Sequence, residues 1–150
     1  MEKKFELTDK FVFNTFGIKL FQIKCTKSFK YAKEGDLGGY VEKDENLDQE
    51  SNAWVYGDAW VYGNARVSGD ADIENDNNHC GFDCFGSCNH HTHAYLTKDN
   101  KVEITCGCFR GSIEEFEKKV EKTHSGTIYE KQYKAIINVI KIKFGLTDLI

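Results

Sequence analysis

Proline is absent from this chain of 150 residues, so every corner must be made by glycine, asparagine or aspartate. Apolar runs are short, and none approaches the roughly 20 residues that a membrane-spanning helix needs. The amino terminus is charged (Glu2, Lys3, Lys4) and does not resemble a secretion signal. Together these features predict a cytoplasmic protein with no membrane partner. Basic residues are not in excess, with a formal net charge of −4. Long polar tracts are missing too, and 13% of the residues are aromatic, which excludes wholesale disorder. The six cysteines of such a cytosolic chain are expected as reduced thiols or metal ligands before disulfides.

Against these absences stands one repeated phrase. Ala53-Trp54-Val55-Tyr56-Gly57-Asp58 is followed in register by Ala59–Asn64, Ala65–Asp70 and Ala71-Asp72-Ile73. Alanine, an aliphatic residue and glycine each recur every six positions, which a helix of 3.6 residues per turn cannot keep on one face. A short strand followed by a Gly-Asp or Gly-Asn corner can, and hexapeptide periodicity predicts a parallel β-helix. Alternation along a strand turns Ala53/Val55, Ala59/Val61, Ala65/Val67 and Ala71/Ile73 inward. With three hexads to a coil, residues eighteen apart stack, so Leu37, Val55 and Ile73 are expected in one column. Lys43 and Gln49 fall where aliphatics belong, so the pattern weakens toward residue 35.

The predicted class is therefore mainly β with a helical C-terminal part (α+β), centred on a short left-handed parallel β-helix. Residues 1–34 are expected as an N-terminal β-hairpin, built from Lys10–Asn14 and Gly17–Cys25 around Thr15-Phe16-Gly17. Residues 35–75 form the hexapeptide coil. Residues 76–150 hold a Cys/His-rich loop over 75–91, a second hairpin and two helices. That hairpin pairs Thr92–Thr97 with Val102–Phe109 across Lys98-Asp99-Asn100-Lys101. Ser112 with Glu115 three residues later reads as a capping box ahead of an Ile113, Phe116, Val120 face, closed by Gly126. A second helix is expected from about Tyr129 to Phe144, with Tyr133, Ile136, Ile137 and Ile140 inward and Gly145 as its stop.

Charge is unevenly distributed. Residues 1–33 carry eight lysines against three acids, whereas residues 34–83 carry thirteen acids against Lys43 and Arg66. Such an acidic coil repels phosphates, so direct binding of duplex nucleic acid is not expected. A basic protein surface is the partner it suits, with Asp44, Glu45 and Asp48 as contacts, although corner aspartates also serve turn chemistry. The outward positions of the first two hexads are Trp54, Tyr56, Trp60 and Tyr62. Large aromatics on a rigid outward face predict a cover, supplied by the chain's own helices, an identical subunit or a foreign partner. A coil with open ends also points to a homo-oligomer, trimer or dimer.

Cysteines and histidines cluster between residues 79 and 108. Cys80, Cys84, Cys88, His90 and His93 form a candidate zinc set, because thiolates and imidazoles are the preferred ligands of that ion. The spacing CxxxCxxxC matches no standard zinc module, so reduced thiols beside surface histidines are the other reading, with no cofactor. His90, His91 or His93 could instead serve as a general base. His124 is placed to favour a helix C-terminus.

Lys33-Glu34-Gly35-Asp36-Leu37-Gly38-Gly39-Tyr40-Val41-Glu42, with Phe5-Glu6-Leu7-Thr8-Asp9 and Cys106-Gly107-Cys108-Phe109-Arg110-Gly111-Ser112, resembles a family of phage and prophage proteins. The resemblance implies a hexapeptide left-handed β-helix, commonly trimeric, in a virus-encoded protein. This chain departs from the family where Gly86-Ser87 is followed by Cys88-Asn89-His90 rather than an Arg-Asn-Asp-like stretch. The expected function is a non-catalytic inhibitor of a host defence system, docking on a CRISPR-type effector or sequestering a nucleotide signal. The alternative is a zinc-binding or hexapeptide acyltransferase-like enzyme.

Overall fold

The computed structural model describes residues 2–146. The first hairpin pairs β1 (Phe5–Phe13) with β2 (Lys19–Cys25) in antiparallel register, Phe5 opposite Cys25 and Phe13 opposite Lys19. β3 (Leu37–Val41) joins the other edge of β2, also antiparallel. The repeats contribute only two-residue strands: β4 (Trp54–Val55), β5 (Trp60–Val61) and β6 (Asp72–Ile73). Four longer strands follow: β7 (His79–Phe85), β8 (His90–Leu96), β9 (Val102–Cys106) and β10 (Phe109–Ser112). The chain closes with α1 (Ile113–His124) and α2 (Ile128–Lys143). Among the described residues no helix is long and apolar enough to cross a membrane.

The expected left-handed parallel β-helix is not what forms. Three separate sheets are present, ordered β1-β2-β3-β5, β10-β9-β8-β7 and β4-β6, and most of their pairings are antiparallel. Among the described residues no sheet closes on itself or winds as a solenoid. Parallel contacts do link the repeats, but their step is not constant. Val55 pairs with Ile73 eighteen residues on, whereas Val41 pairs with Val61 and Leu47 with Val67, each twenty residues on. A 3-10 turn at Asp44–Asn46 interrupts the hexads between these pairs. Leu37 leaves the predicted column altogether, lying opposite Lys24 of the hairpin and 59% exposed. The physical reason is that β2 captures residues 37–41 as an antiparallel neighbour.

Gly38 and Gly39 make that capture possible. A Cβ at Gly39 would sit 2.6 Å from Val55 Cγ1 and 2.9 Å from the Ala59 carbonyl oxygen. One at Gly38 would meet the Val55 carbonyl oxygen at 2.6 Å. Only a bare backbone can pass so close to the repeats.

The inward residues of the repeats are buried as alternation requires, from Ala53 and Val55 through Ala71 and Ile73. Their core is completed by Phe5, Ile23, Cys25 and Ala32 of the N-terminal region and by Tyr95 of β8. A second core lies between the β10-β9-β8-β7 sheet and the helices, where Ala94 and Ile104 meet Phe116, Val120, Tyr133 and Ile140. α1 starts at the capping box: Ser112 Oγ accepts from Glu115 N at 3.1 Å, and Glu115 Oε1 accepts from Ser112 N at 3.0 Å. α2 begins one residue earlier than Tyr129, because Thr127 Oγ1 accepts from Glu130 N.

Trp54 points away from Ala53 and Val55, as expected, yet it is fully buried. Its cover is the N-terminal region and not the helices, with Phe29 and Phe5 edge-on at ring centroids of 5.4 and 6.5 Å. Tyr62, one repeat later, is 39% exposed. Trp54→Ala should therefore cost about 3–5 kcal/mol of stability, by lost transfer energy plus a cavity. Tyr62→Ala should cost less than about 1 kcal/mol. Urea-unfolding midpoints of the two variants measured side by side check the difference.

Candidate functional site

The segment expected as a loop over 75–91 contains strand β7, which pairs antiparallel with β8. His79 lies opposite Tyr95 and Gly81 opposite His93. Alternation then places His79, Gly81 and Asp83 on the same face as His91 and His93. Cys80 and Phe82 face the other way, toward the helical core. A bulge between Phe82 and Phe85, where Cys84 adopts φ 68°, ends the regular pairing.

On that face the side chains form an unbroken chain of hydrogen bonds. Asp76 Oδ1 is 2.9 Å from His79 Nε2, and His79 Nδ1 is 2.9 Å from His93 Nε2. His93 Nδ1 is 2.9 Å from His91 Nε2, and His91 Nδ1 is 2.6 Å from Asp83 Oδ1. Asp76 Oδ1 also accepts the backbone N–H of Trp60 at 2.8 Å, which ties the chain to the repeats. The rings overlap as well as bond, with centroids 5.1 Å apart on both sides of His93. Gly81 supplies the space: a Cβ there would lie 2.7 Å from both His91 and His93.

Four hydrogen bonds need four protons. Three neutral imidazoles provide three N–H groups and two carboxylates provide none, so the chain is rich in acceptors. The carboxylates at its two ends give it a negative character. Burial, together with the neighbouring His79 and His91, pushes the His93 pKa well below the ordinary histidine value. His93 is therefore the neutral link of the chain. Burial works to raise the Asp76 carboxyl, but hydrogen bonds from His79 and Trp60 N–H, with the charges of His79 and Lys143, outweigh it and hold the pKa low.

The geometry is that of a hydrogen-bonded chain. His93 uses a different nitrogen toward each neighbour, so no single point faces three ring nitrogens. Among the described residues no group of three or more His, Cys, Asp or Glu side chains is gathered in a metal-ligating arrangement. The five residues of the candidate zinc set do not converge. Cys80 and His93 lie on opposite faces of the sheet, Cys84 and Cys88 are exposed, and His90 packs over Gly107. All six cysteines are free thiols.

The candidate contact residues are also spread out. Trp54 is buried, while the Tyr56 hydroxyl accepts from Lys98 Nζ at 2.9 Å. Trp60 and Tyr62 border a cavity of about 440 Å³ whose opposite wall is the histidine chain. Asp44 pairs with Lys3 at 2.7 Å, Glu45 is exposed, and Asp48 caps the Glu50 N–H at 3.1 Å. Sequence reasoning set His79 at the start of the Cys/His cluster and named His91 and His93, but it missed Asp76, Gly81 and Asp83. The signal was present: His79-x-Gly81-x-Asp83 has strand periodicity, hidden because residues 75–91 read as a loop.

The depressed His93 pKa fixes the sign of a pH effect. Below about 6.5, the ordinary value, the unfolded chain takes up a proton on this residue that the folded chain refuses. Stability therefore falls as pH drops through that point, at up to about 1.4 kcal/mol per pH unit for one proton. Denaturation midpoints between pH 7.5 and 5.5 (about one unit either side of the ordinary histidine value) should show this loss, and His93→Gln should flatten it.

Comparison with known proteins returns no match, either to a family model or to a curated protein.

Proposed function

We propose that this chain is a non-catalytic binding protein whose acidic middle segment docks on a basic protein surface. One observation supports the reading above others: none of the thirteen acids of residues 34–83 is buried. Only Asp44, Asp72, Asp76 and Asp83 have ion-pair partners among the described residues. The remaining nine leave an acidic surface facing solvent, held on a backbone that the two-core packing keeps rigid. Complementary charge of this kind raises association rates and fixes the choice of partner. An anionic nucleotide is a poorer fit to that surface than a basic protein.

The phage resemblance gives the proposal its setting, a virus-encoded inhibitor acting in the bacterial cytoplasm on a CRISPR-type effector. Self-association into a dimer or trimer belongs to the same proposal, and the exposed Phe11, Phe13 and Phe16 at the hairpin tip offer apolar surface for it. The acyltransferase alternative loses its basis, since the intersubunit cleft of those enzymes requires stacked coils.

Expression of the chain in bacteria with an active, targeted CRISPR system should restore plaque formation toward the level of a strain lacking that system. Combined Asp44→Lys, Glu45→Lys and Asp48→Lys should abolish the restoration while leaving the urea midpoint little changed, because surface pairs such as Lys3–Asp44 contribute little. Unchanged plaque counts with the unmodified chain would refute the docking inhibitor.

A further inference from the structure

We propose that the cavity between Trp60, Tyr62 and the histidine chain is a binding site for a small planar organic cation, of the amidinium, guanidinium or protonated heteroaromatic amine class. This goes beyond the docking surface, because none of Asp44, Glu45 and Asp48 lines the cavity, whose walls are of different chemistry.

Three features select that ligand. The first is size and lining: about 440 Å³ lies within the range of small-molecule sites, and the walls combine Ile18, Trp60 and Tyr62 with polar groups. Trp and Tyr rings attract a cation through their negative faces. The second is unused acceptor capacity. Asp76 and Asp83 each commit Oδ1 to an imidazole, and neither Oδ2 has a hydrogen-bond partner among the described residues. Both carboxylates stay more than half exposed, at 55% and 57%. A ligand with two N–H groups suits such acceptors, since charge-assisted N–H···O bonds are the strong ones.

The third feature is the sign of the charge. Both ends of the histidine chain are carboxylates that line the cavity, Asp76 and Asp83, so an anion entering it meets repulsion. Lys143, in the last turn of α2, is the cation that reaches this site, but it is exposed and is the weakest of the influences acting on Asp76. The remaining ionisable neighbour, Cys80, is a thiol whose pKa burial raises, so it adds no charge. The site is also built in advance. Gly81 leaves room for the stacked rings, and the Trp60 N–H bond to Asp76 fixes the aromatic wall against the chain.

Benzamidine is the probe, with benzoate as its flat anionic counterpart. Titration of the full chain at neutral pH, followed by calorimetry and by histidine ring NMR signals, should give a benzamidine dissociation constant of about 1 mM or tighter. Benzoate should not bind. Asp83→Asn and Tyr62→Ala, both at exposed positions, should each weaken benzamidine about tenfold. Glu45→Gln, on the docking surface, should leave it unchanged. Unaltered circular dichroism confirms that the variants fold. Absence of benzamidine binding, benzoate binding of equal strength, or full affinity in Asp83→Asn would each overturn the assignment. Plaque assays and this titration read different residues, so either reading can fail alone.

Discussion

The structure depends on closing the N-terminal hairpin over the repeats. Alanine and valine at the inward positions form too thin a core to stand alone, and Trp54 would present its whole indole to water. Phe5 and Phe29 cover that ring from two sides. Lys4 completes the seal: its ammonium donates to the Ser51 and Ala53 carbonyl oxygens at 2.6 Å each and lies 4.7 Å from the Phe29 centroid. Burial of that ammonium lowers its pKa to about 8. A charge is thus retained in a dry place because two carbonyls and an aromatic face offset its desolvation.

This closure explains why hexapeptide periodicity did not give a solenoid. Local alternation is a property of neighbouring residues, and it identified the buried Ala and Val positions correctly. Strand partners are chosen at long range. β3 buries Val41 against the repeats but pairs on one side with β2, so the Leu37 position follows the hairpin and not the coil. The helices were legible for the opposite reason: Ser112 with Glu115, and the spacing of Tyr133, Ile136, Ile137 and Ile140, act within a few residues. The site was half legible. Its histidines were conspicuous, but their order along a chain follows from the β7–β8 register, which no local spacing discloses.

The two sheets meet at a mixed boundary, and the polar groups there are organised with care. Thr105 Oγ1 donates to the Arg66 carbonyl oxygen at 3.1 Å, and the Tyr95 hydroxyl donates to Glu103 Oε1 at 2.6 Å. His93 lies in the same layer and remains neutral because a charge there would be stripped of water and set against two other imidazoles. Charge is thereby displaced to the rim, where Asp76 and Asp83 meet solvent. The interior of this boundary stays uncharged while its opening is negative.

The two 3-10 turns are built alike, each with an asparagine side chain folding back on its own corner. Asn46 Oδ1 accepts from Lys43 N, and Asn78 Oδ1 accepts from both Glu74 N and Asn75 N. In the second turn the first residue is Asp76, the end of the histidine chain. One carboxylate oxygen on a residue of that corner therefore holds the Trp60 backbone and an imidazole together. Substitutions at Asp76 and His79 are consequently bound to be non-additive, and selection on either constrains the evolutionary freedom of the other, whereas position 60 keeps its backbone N–H with almost any side chain.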